Sequence, residues 1–235
     1  MRIAIICPDY PPKRSGLADH TVGLAQAIAR WAEVEIFTSA VDAGAADDLS
    51  WPGGPNLWIL REVEGWGFRG IRRLGSALRA GKFDWVLVQY VPHMYGPRGF
   101  SFALPYGMWR WRAAGVLTLL LVHELYLDWS VLPRRLAAAI AQRLMFWSCA
   151  AVSRRVGVSI AAWLGSIRRA ASDSSGKFFL LPTPSNFERE LRALPPAAAS
   201  SSAPENPPAI TLGFFGTLHD SKLIGHLTHA LHHLR

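Results

Sequence analysis

The sequence predicts an α/β fold: a Rossmann-like, doubly wound parallel sheet, followed by a truncated βα start of a second domain. Two patterns predict this architecture. Short, β-rich apolar runs alternate with longer helical stretches, which is typical of a parallel sheet covered by helices. Half of the 235 residues are apolar and 18% are charged, so the chain has enough apolar material for a packed core.

The predicted elements follow one another in regular alternation. The strands are predicted at residues 2–7, 33–38, 56–61, 84–88, 116–122, 148–153 and 177–181. The helices are predicted at residues 17–31, 67–80, 100–114, 133–147 and 155–169. Right-handed crossovers between parallel strands then give the doubly wound sheet.

The domain organisation is predicted from a change in composition. Residues 1–194 form the first domain, and residues 195–208, rich in Pro, Ala and Ser, form a linker. Residues 209–235 contain one strand and one helix, and a single βα unit cannot bury its own apolar face. The chain is therefore expected to hold a complete first domain and only the beginning of a second.

The charge distribution and the cysteine content indicate what the protein binds and where it is located. Residues 1–60 carry four Lys/Arg and seven Asp/Glu, whereas residues 61–235 carry 21 and 10, for an overall net charge of +8. Such a basic surface attracts phosphates of nucleotides, nucleic acids or anionic lipids. The two cysteines, Cys7 and Cys149, lie in apolar segments and are expected to be free thiols. With no secretory signal and no apolar run of membrane-spanning length, we expect a cytoplasmic protein.

The loop after the first strand is a candidate phosphate site. It ends in Ser15 and Gly16 at the start of a predicted helix, where free backbone N–H groups and the helix dipole favour an anion. The loop lacks the G-x-G-x-x-G pattern, and the second strand ends in Thr38-Ser39-Ala40 without an acidic residue for a ribose, which argues against a NAD-dependent dehydrogenase. A plain turn with a helix cap is the alternative interpretation.

Other candidates follow predicted strands. His123 comes directly after the fifth strand, where ligands of parallel sheets bind, and Glu124 stands beside it. Tyr90 and His93 follow the fourth strand, and His20 lies in the first turn of the first helix. Each is a candidate substrate contact, and each is also compatible with packing or turn formation alone.

Four segments together resemble glycosyltransferase family 4, whose members have the two-domain GT-B fold. They are PPKRSGLADH at 11–20, VHELY at 122–126, LPTPSN at 181–186 and LGFFGTLHDSK at 212–222. The resemblance implies that His123 contacts the donor sugar as the catalytic residue, and that Ser15, Gly16 and Lys222 face the donor phosphates. It assigns His20, Tyr90, His93 and Glu124 to acceptor or substrate contacts. Residues 1–194 then correspond to the GT-B N-terminal, acceptor-side domain.

The implied activity is transfer of a sugar from a nucleotide-sugar donor to an acceptor hydroxyl, with retention of configuration, in cell-surface polysaccharide or glycolipid synthesis. The acceptor would be lipid-linked or a saccharide, and the nucleotide sugar would be a co-substrate with no further cofactor. The family pattern places an arginine where this chain has Thr217, and its glutamate pair would lie beyond Arg235. The chain by itself is therefore expected to be inactive. The alternatives are a truncated remnant that acts as a binding module, and a nucleic-acid-binding protein.

Two further features remain open at the level of sequence. Five of the eight histidines lie in residues 219–233, a pattern that favours a solvated helix over a zinc site, and no metal is expected. Arginines alternate with aromatic residues around Trp66, Trp109 and Trp111, a pattern typical of a helix on an anionic membrane surface. Stacking on single-stranded nucleic acid and ordinary amphipathic helices are the alternatives, although no nucleic-acid partner is expected.

Overall fold

Seven parallel strands form the frame of the molecule. The computed structural model describes residues 1–13, 15–40 and 54–183, and within these ranges all strands belong to one sheet. The strands are β1 (Arg2–Ile6), β2 (Glu33–Ser39), β3 (Leu57–Val63), β4 (Trp85–Tyr90), β5 (Thr118–Val122), β6 (Arg155–Val158) and β7 (Phe178–Leu180). All neighbouring pairs are parallel.

In the described residues, five helices lie between consecutive strands. They are α1 (Gly16–Ala29), α2 (Phe68–Gly81), α3 (Ala103–Ala113), α4 (Pro133–Val152) and α5 (Ala161–Ala171). Two short 3-10 turns, Pro92–Met94 and Pro97–Gly99, lie between β4 and α3. The strand order is β3-β2-β1-β4-β5-β6-β7. The chain therefore adds β2 and β3 on one side of β1, and then returns to add β4 to β7 on the other side. This is the doubly wound topology predicted from the sequence.

The two faces of the sheet are covered differently. Because side chains alternate along a strand, Ile3 and Ile5 of β1 point to one face and Ala4 and Ile6 to the other. The first face packs against α1. The second packs against buried side chains of α2, α3, α4 and α5, which form the larger core.

One predicted boundary is wrong. Residues 148–153, expected to be a strand, continue α4 to Val152, and residues 155–158, expected to begin a helix, form β6. Cys149 and Ala150 are buried on the same helix face as Met145 and Phe146, and alanine is a strong helix former. All remaining predicted element ends agree with the structure to within about three residues.

Two of the three tryptophans expected at a membrane surface are buried instead. Trp111 of α3 is 1% exposed and packs against α2. Trp66 is 9% exposed, and its indole N–H donates to Ser39 Oγ at 2.9 Å. Trp109 is 53% exposed. The alternation of arginine and aromatic residues around Trp111 therefore arises because one face of α3 packs into the core.

The described residues all belong to one compact unit, Met1–Leu191. The predicted linker at 195–208 and the βα unit at 209–235 lie outside the described residues. Among the helices described, none combines the length and hydropathy that a membrane span requires.

Close packing of α2 on α3 gives a test of the core. A Cβ atom at Gly107 would lie 2.1 Å from Ile71 Cγ2, so we expect Gly107→Ala to lower the free energy of unfolding by about 1–3 kcal/mol through overpacking. Gly23→Ala on α1 is the control, because nothing lies within 4 Å of its added methyl group. Urea unfolding of both variants measures the difference. Equal stability of Gly107→Ala and the wild type would contradict this packing.

Candidate functional site

The reversal of strand order between β1 and β4 defines the candidate site. In sheets of this topology, ligands bind in the crevice outside the carboxyl ends of the strands, where the order reverses. Here β4 pairs with β1 on one side and with β5 on the other. The residues that follow these three strands therefore meet at one edge of the sheet.

A cluster of His20, Gln89 and His123, which we call the histidine cluster, lies at this edge, with His20 and Gln89 buried and His123 half-buried. His123 continues the ladder of β5, because its backbone N–H donates to Tyr90 O at 3.0 Å. Its Nε2 atom lies 2.5 Å from Oε1 of Gln89. The rings of His20 and His123 meet edge to face with their centroids 4.7 Å apart. The structure thus brings together two of the predicted site residues, one from α1 and one from the end of β5.

Gln89 is the member of the cluster that the sequence prediction did not select. It is fully buried on β4, and alternation along the strand places it on the α1 side of the sheet, beside Leu87. A glutamine that comes directly after the apolar run Trp85–Val88 is the signal that identifies it, because a buried polar side chain needs a hydrogen-bonding partner.

The same alternation moves Tyr90 away from the crevice. Its side chain lies on the opposite face, fully buried in the larger core, with its ring centroid 6.0 Å from that of Phe146. A substrate at the sheet edge cannot reach this side chain without repacking the core. In this structure Tyr90 therefore does not fit the acceptor contact expected from the sequence.

Both histidines of the cluster favour the neutral form. Burial, together with repulsion from His20, lowers the pKa of His123 to about 4, and burial also lowers the pKa of His20. With Gln89 Oε1 accepting a hydrogen bond from Nε2–H of His123, Nδ1 is left as the acceptor of that ring. His20 Nδ1 and Gln89 Nε2 are buried without a hydrogen-bonding partner among the described residues. The cluster thus holds two buried polar atoms whose hydrogen-bonding capacity is unused within the described residues.

The predicted phosphate loop leads directly into α1. Ser15 Oγ accepts a hydrogen bond from Ala18 N at 3.1 Å and so caps the helix, as expected for an N-cap serine. A Cβ atom at Gly16 would meet nothing within 4 Å, so the helix N-terminus borders open space. Neither residue is enclosed by other parts of the described chain, and an anion has room to approach the first turn.

The loop is anchored from both sides. The buried carboxylate of Asp9 forms an ion pair with Lys13, with Oδ1 and Nζ 2.5 Å apart. Arg61 of β3 donates a hydrogen bond to Pro11 O, and its guanidinium lies over the ring of Tyr10, 5.8 Å from the centroid. These contacts fix the segment between β1 and the cap of α1, and the sequence prediction identified none of them.

The remaining predicted residues lie apart from the cluster or outside the description. His93 is exposed in the first 3-10 turn and faces Gly99, where an added Cβ would lie 3.0 Å from its ring. Glu124 is exposed. Lys222 lies outside the described residues, as do the histidines of the C-terminal segment. Across residues 1–13, 15–40 and 54–183, no three His, Cys, Asp or Glu side chains are placed to share a metal ion.

Comparison with solved structures identifies the fold. The chain is similar to UDP-GlcNAc 2-epimerase from Rickettsia bellii (TM-score 0.54, 9% identity, 82% of this chain and 48% of that chain). It is also similar to the Neisseria meningitidis UDP-GlcNAc 2-epimerase bound to UDP-GlcNAc (0.51, 13%, 77% and 45%). A third similar structure is sucrose-phosphate synthase from Thermosynechococcus elongatus (0.50, 18%, 83% and 53%).

The chain spans about half the length of these structures. No protein-family model matches it, and no curated protein does. The similar structures are GT-B proteins, so the predicted α/β, Rossmann-like fold is confirmed as that of one GT-B half. The narrower resemblance to glycosyltransferase family 4 remains a prediction.

Stability should fall as the pH drops from 7 to 4. An unfolded histidine takes up its proton near pH 6.5, whereas His123 in the folded chain does so only at about pH 4. Between these pH values the unfolded chain binds more protons than the folded chain. The free energy of unfolding therefore falls by up to about 3 kcal/mol as the pH drops, and this stability is fully present above pH 6.5. Urea unfolding across this pH range should show a smaller loss of the free energy of unfolding for His123→Gln than for the wild type. His93→Gln, at an exposed position, is the control and should lose as much as the wild type. A wild-type pH dependence in His123→Gln would contradict the assignment.

Proposed function

We propose that this chain is the acceptor-side domain of a glycosyltransferase that transfers a sugar from a nucleotide-sugar donor to an acceptor hydroxyl. The observation that carries the proposal is the histidine cluster, in which His123 lies at the carboxyl end of β5 and bonds to the buried Gln89. The similar structures include an epimerase described as bound to UDP-GlcNAc, which supports a nucleotide sugar as the ligand class.

In this proposal His123 orients the donor sugar. Its neutral ring accepts a hydrogen bond from a sugar hydroxyl through Nδ1, while Gln89 holds the Nε2–H and so selects the tautomer. As the bond to the nucleotide breaks, positive charge develops on the sugar ring. An electron-rich nitrogen polarised by the Gln89 carbonyl stabilises that charge more than it stabilises the ground state.

The donor phosphates would lie at the start of α1. Gly16 leaves the first turn open, Ser15 caps it, and the backbone N–H groups and the helix dipole favour an anion there. We propose Lys222 as a further phosphate contact, on the resemblance alone. His93 and Glu124, both exposed, remain proposed contacts of a lipid-linked or saccharide acceptor in polysaccharide or glycolipid synthesis, with retention at the anomeric carbon.

The test uses a version of the protein that carries a complete second domain. His123→Ala should lower kcat by roughly 10²–10³, because a contact made in the transition state is lost, while the melting temperature changes little. Incubation with a panel of nucleotide sugars and acceptors, followed by measurement of nucleotide release, gives the rate.

His123→Asn is the matched control for this test, since an amide retains hydrogen-bonding capacity and should keep part of the rate. Unchanged turnover with a lowered melting temperature would show that His123 only supports the fold. Conversion of the donor into an isomeric nucleotide sugar without nucleotide release would replace the transferase proposal with an epimerase.

We also propose a peripheral place on an anionic membrane, on a surface that includes Trp109 but not the buried Trp66 and Trp111. Three aromatic side chains at the start of α2 and along α3 are exposed and adjacent: Phe68, Tyr106 and Trp109. Their ring centroids lie 5.7 Å (Phe68 and Tyr106) and 6.1 Å (Tyr106 and Trp109) apart. Exposed arginines, Arg69, Arg72 and Arg110, lie on the same two helices. Aromatic and basic side chains together are typical of a membrane-surface helix.

Vesicle binding tests this surface. Phe68→Ser/Trp109→Ser should reduce co-sedimentation with vesicles of phosphatidylglycerol and phosphatidylcholine by at least about tenfold, since each lost aromatic contributes on the order of 1 kcal/mol or more of apolar burial. The exposed Trp31→Ser, on a different part of the chain, is the control and should bind as the wild type does. Equal binding by all three proteins would rule this surface out.

A further inference from the structure

A basic cleft lies at the edge of the sheet opposite the histidine cluster. It has a volume of about 720 Å³ and is bordered by the amino ends of β5 and β6. Four of its lining residues are cationic, namely Arg112, Arg154, Arg155 and Lys177, and none of the described residues that line it is acidic. Neither the proposed transfer reaction nor the resemblance uses these side chains.

Two of the four cationic groups are held at the same carbonyl oxygen. Arg112 Nη1 and Lys177 Nζ both donate to the carbonyl oxygen of Ala151, at 3.2 and 3.1 Å. Arg155 Nη1 donates to Gly176 O at 2.7 Å. Within the described part of the chain, none of the four forms an ion pair with a carboxylate. Like charges at this separation repel one another unless an anion lies between them.

Burial lowers the pKa of Lys177, and the nearby charge of Arg112 lowers it further. Asp173 offsets this lowering only in part. Its carboxylate accepts hydrogen bonds from the backbone N–H groups of Ser175, Lys177 and Phe178 and so is committed to the turn before β7. The C-terminal dipole of α4 favours a cation at Ala151 O, but it does not explain four cationic residues in one cleft.

We propose that this cleft binds a phosphate-bearing anion, either a soluble phosphate compound or the phosphate of a lipid headgroup. Arginine forms paired hydrogen bonds with phosphate oxygens, and lysine adds a point charge. Ser153 and Ser175, which also line the cleft, supply hydroxyl groups at its border. The ligand would bind far from the donor phosphates, because the amino ends of parallel strands lie at the opposite edge from the carboxyl ends.

Inorganic pyrophosphate is the probe for the soluble source. Its affinity for the chain, measured by calorimetry at low ionic strength, should fall at least tenfold in Arg154→Gln/Lys177→Gln. It should stay within twofold of the wild type in Arg30→Gln/Arg134→Gln, which removes the same charge at exposed positions that do not line the cleft. Melting temperatures without ligand show whether each variant is folded, and Arg154→Gln alone, with a smaller loss of affinity, serves if the double variant is not.

Vesicles of 30 mol% phosphatidylglycerol in phosphatidylcholine test the lipid source with the same variants. Weaker binding of Arg154→Gln/Lys177→Gln to both probes supports the cleft with a lipid headgroup as ligand, and weaker binding to pyrophosphate alone supports a soluble phosphate compound. Equal loss in both double variants would mean that only overall charge matters and would overturn the proposal. So would unchanged binding in the cleft variant, since pyrophosphate would then bind elsewhere, for example at the start of α1.

Discussion

The parallel pairing of β1 with both β2 and β4 is the constraint on which the rest of the structure depends. It places the first strand in the interior of the sheet and reverses the direction of winding beside it. The carboxyl ends of β1, β4 and β5 therefore meet at one edge, and α1 begins at that edge. Residues separated by about 100 positions in the sequence, such as His20 and His123, become neighbours for this reason.

The architecture could be predicted from the sequence because short apolar runs, typical of strands, alternate with longer stretches, typical of helices. Prediction failed where these signals overlap. Residues 148–153 are as apolar as a strand, yet Cys149 and Ala150 continue the buried face of α4, and β6 is too short for its pattern to be distinguished from a helix. Tertiary packing decided this boundary, which no local preference fixes.

The sequence was sufficient to predict where the candidate site lies, but not which residues form it. His123 follows a recognisable strand, so its location at the sheet edge could be inferred from topology. The role of Gln89 depends on which side of β4 it occupies, and the choice between Gln89 and Tyr90 follows from strand alternation once the register with β5 is known. Arg61 reaches Pro11 from fifty residues away, a contact that single-sequence patterns do not report.

The histidine cluster and the basic cleft lie at opposite edges of the sheet and differ in charge. Both rings of the cluster favour the neutral form, so hydrogen bonds from the cluster to a ligand's hydroxyl groups carry no net charge on the protein side. The proposed binding at the cleft depends on three exposed arginines and the half-buried Lys177, whose attraction for an anion weakens as the Debye length shortens from about 30 Å at 0.01 M salt to about 8 Å at 0.15 M. Ionic strength would thus separate the two proposed sites: hydrogen bonds from the cluster to sugar hydroxyls would persist in salt, whereas the proposed phosphate binding at the cleft would vary with the ionic composition of the surroundings.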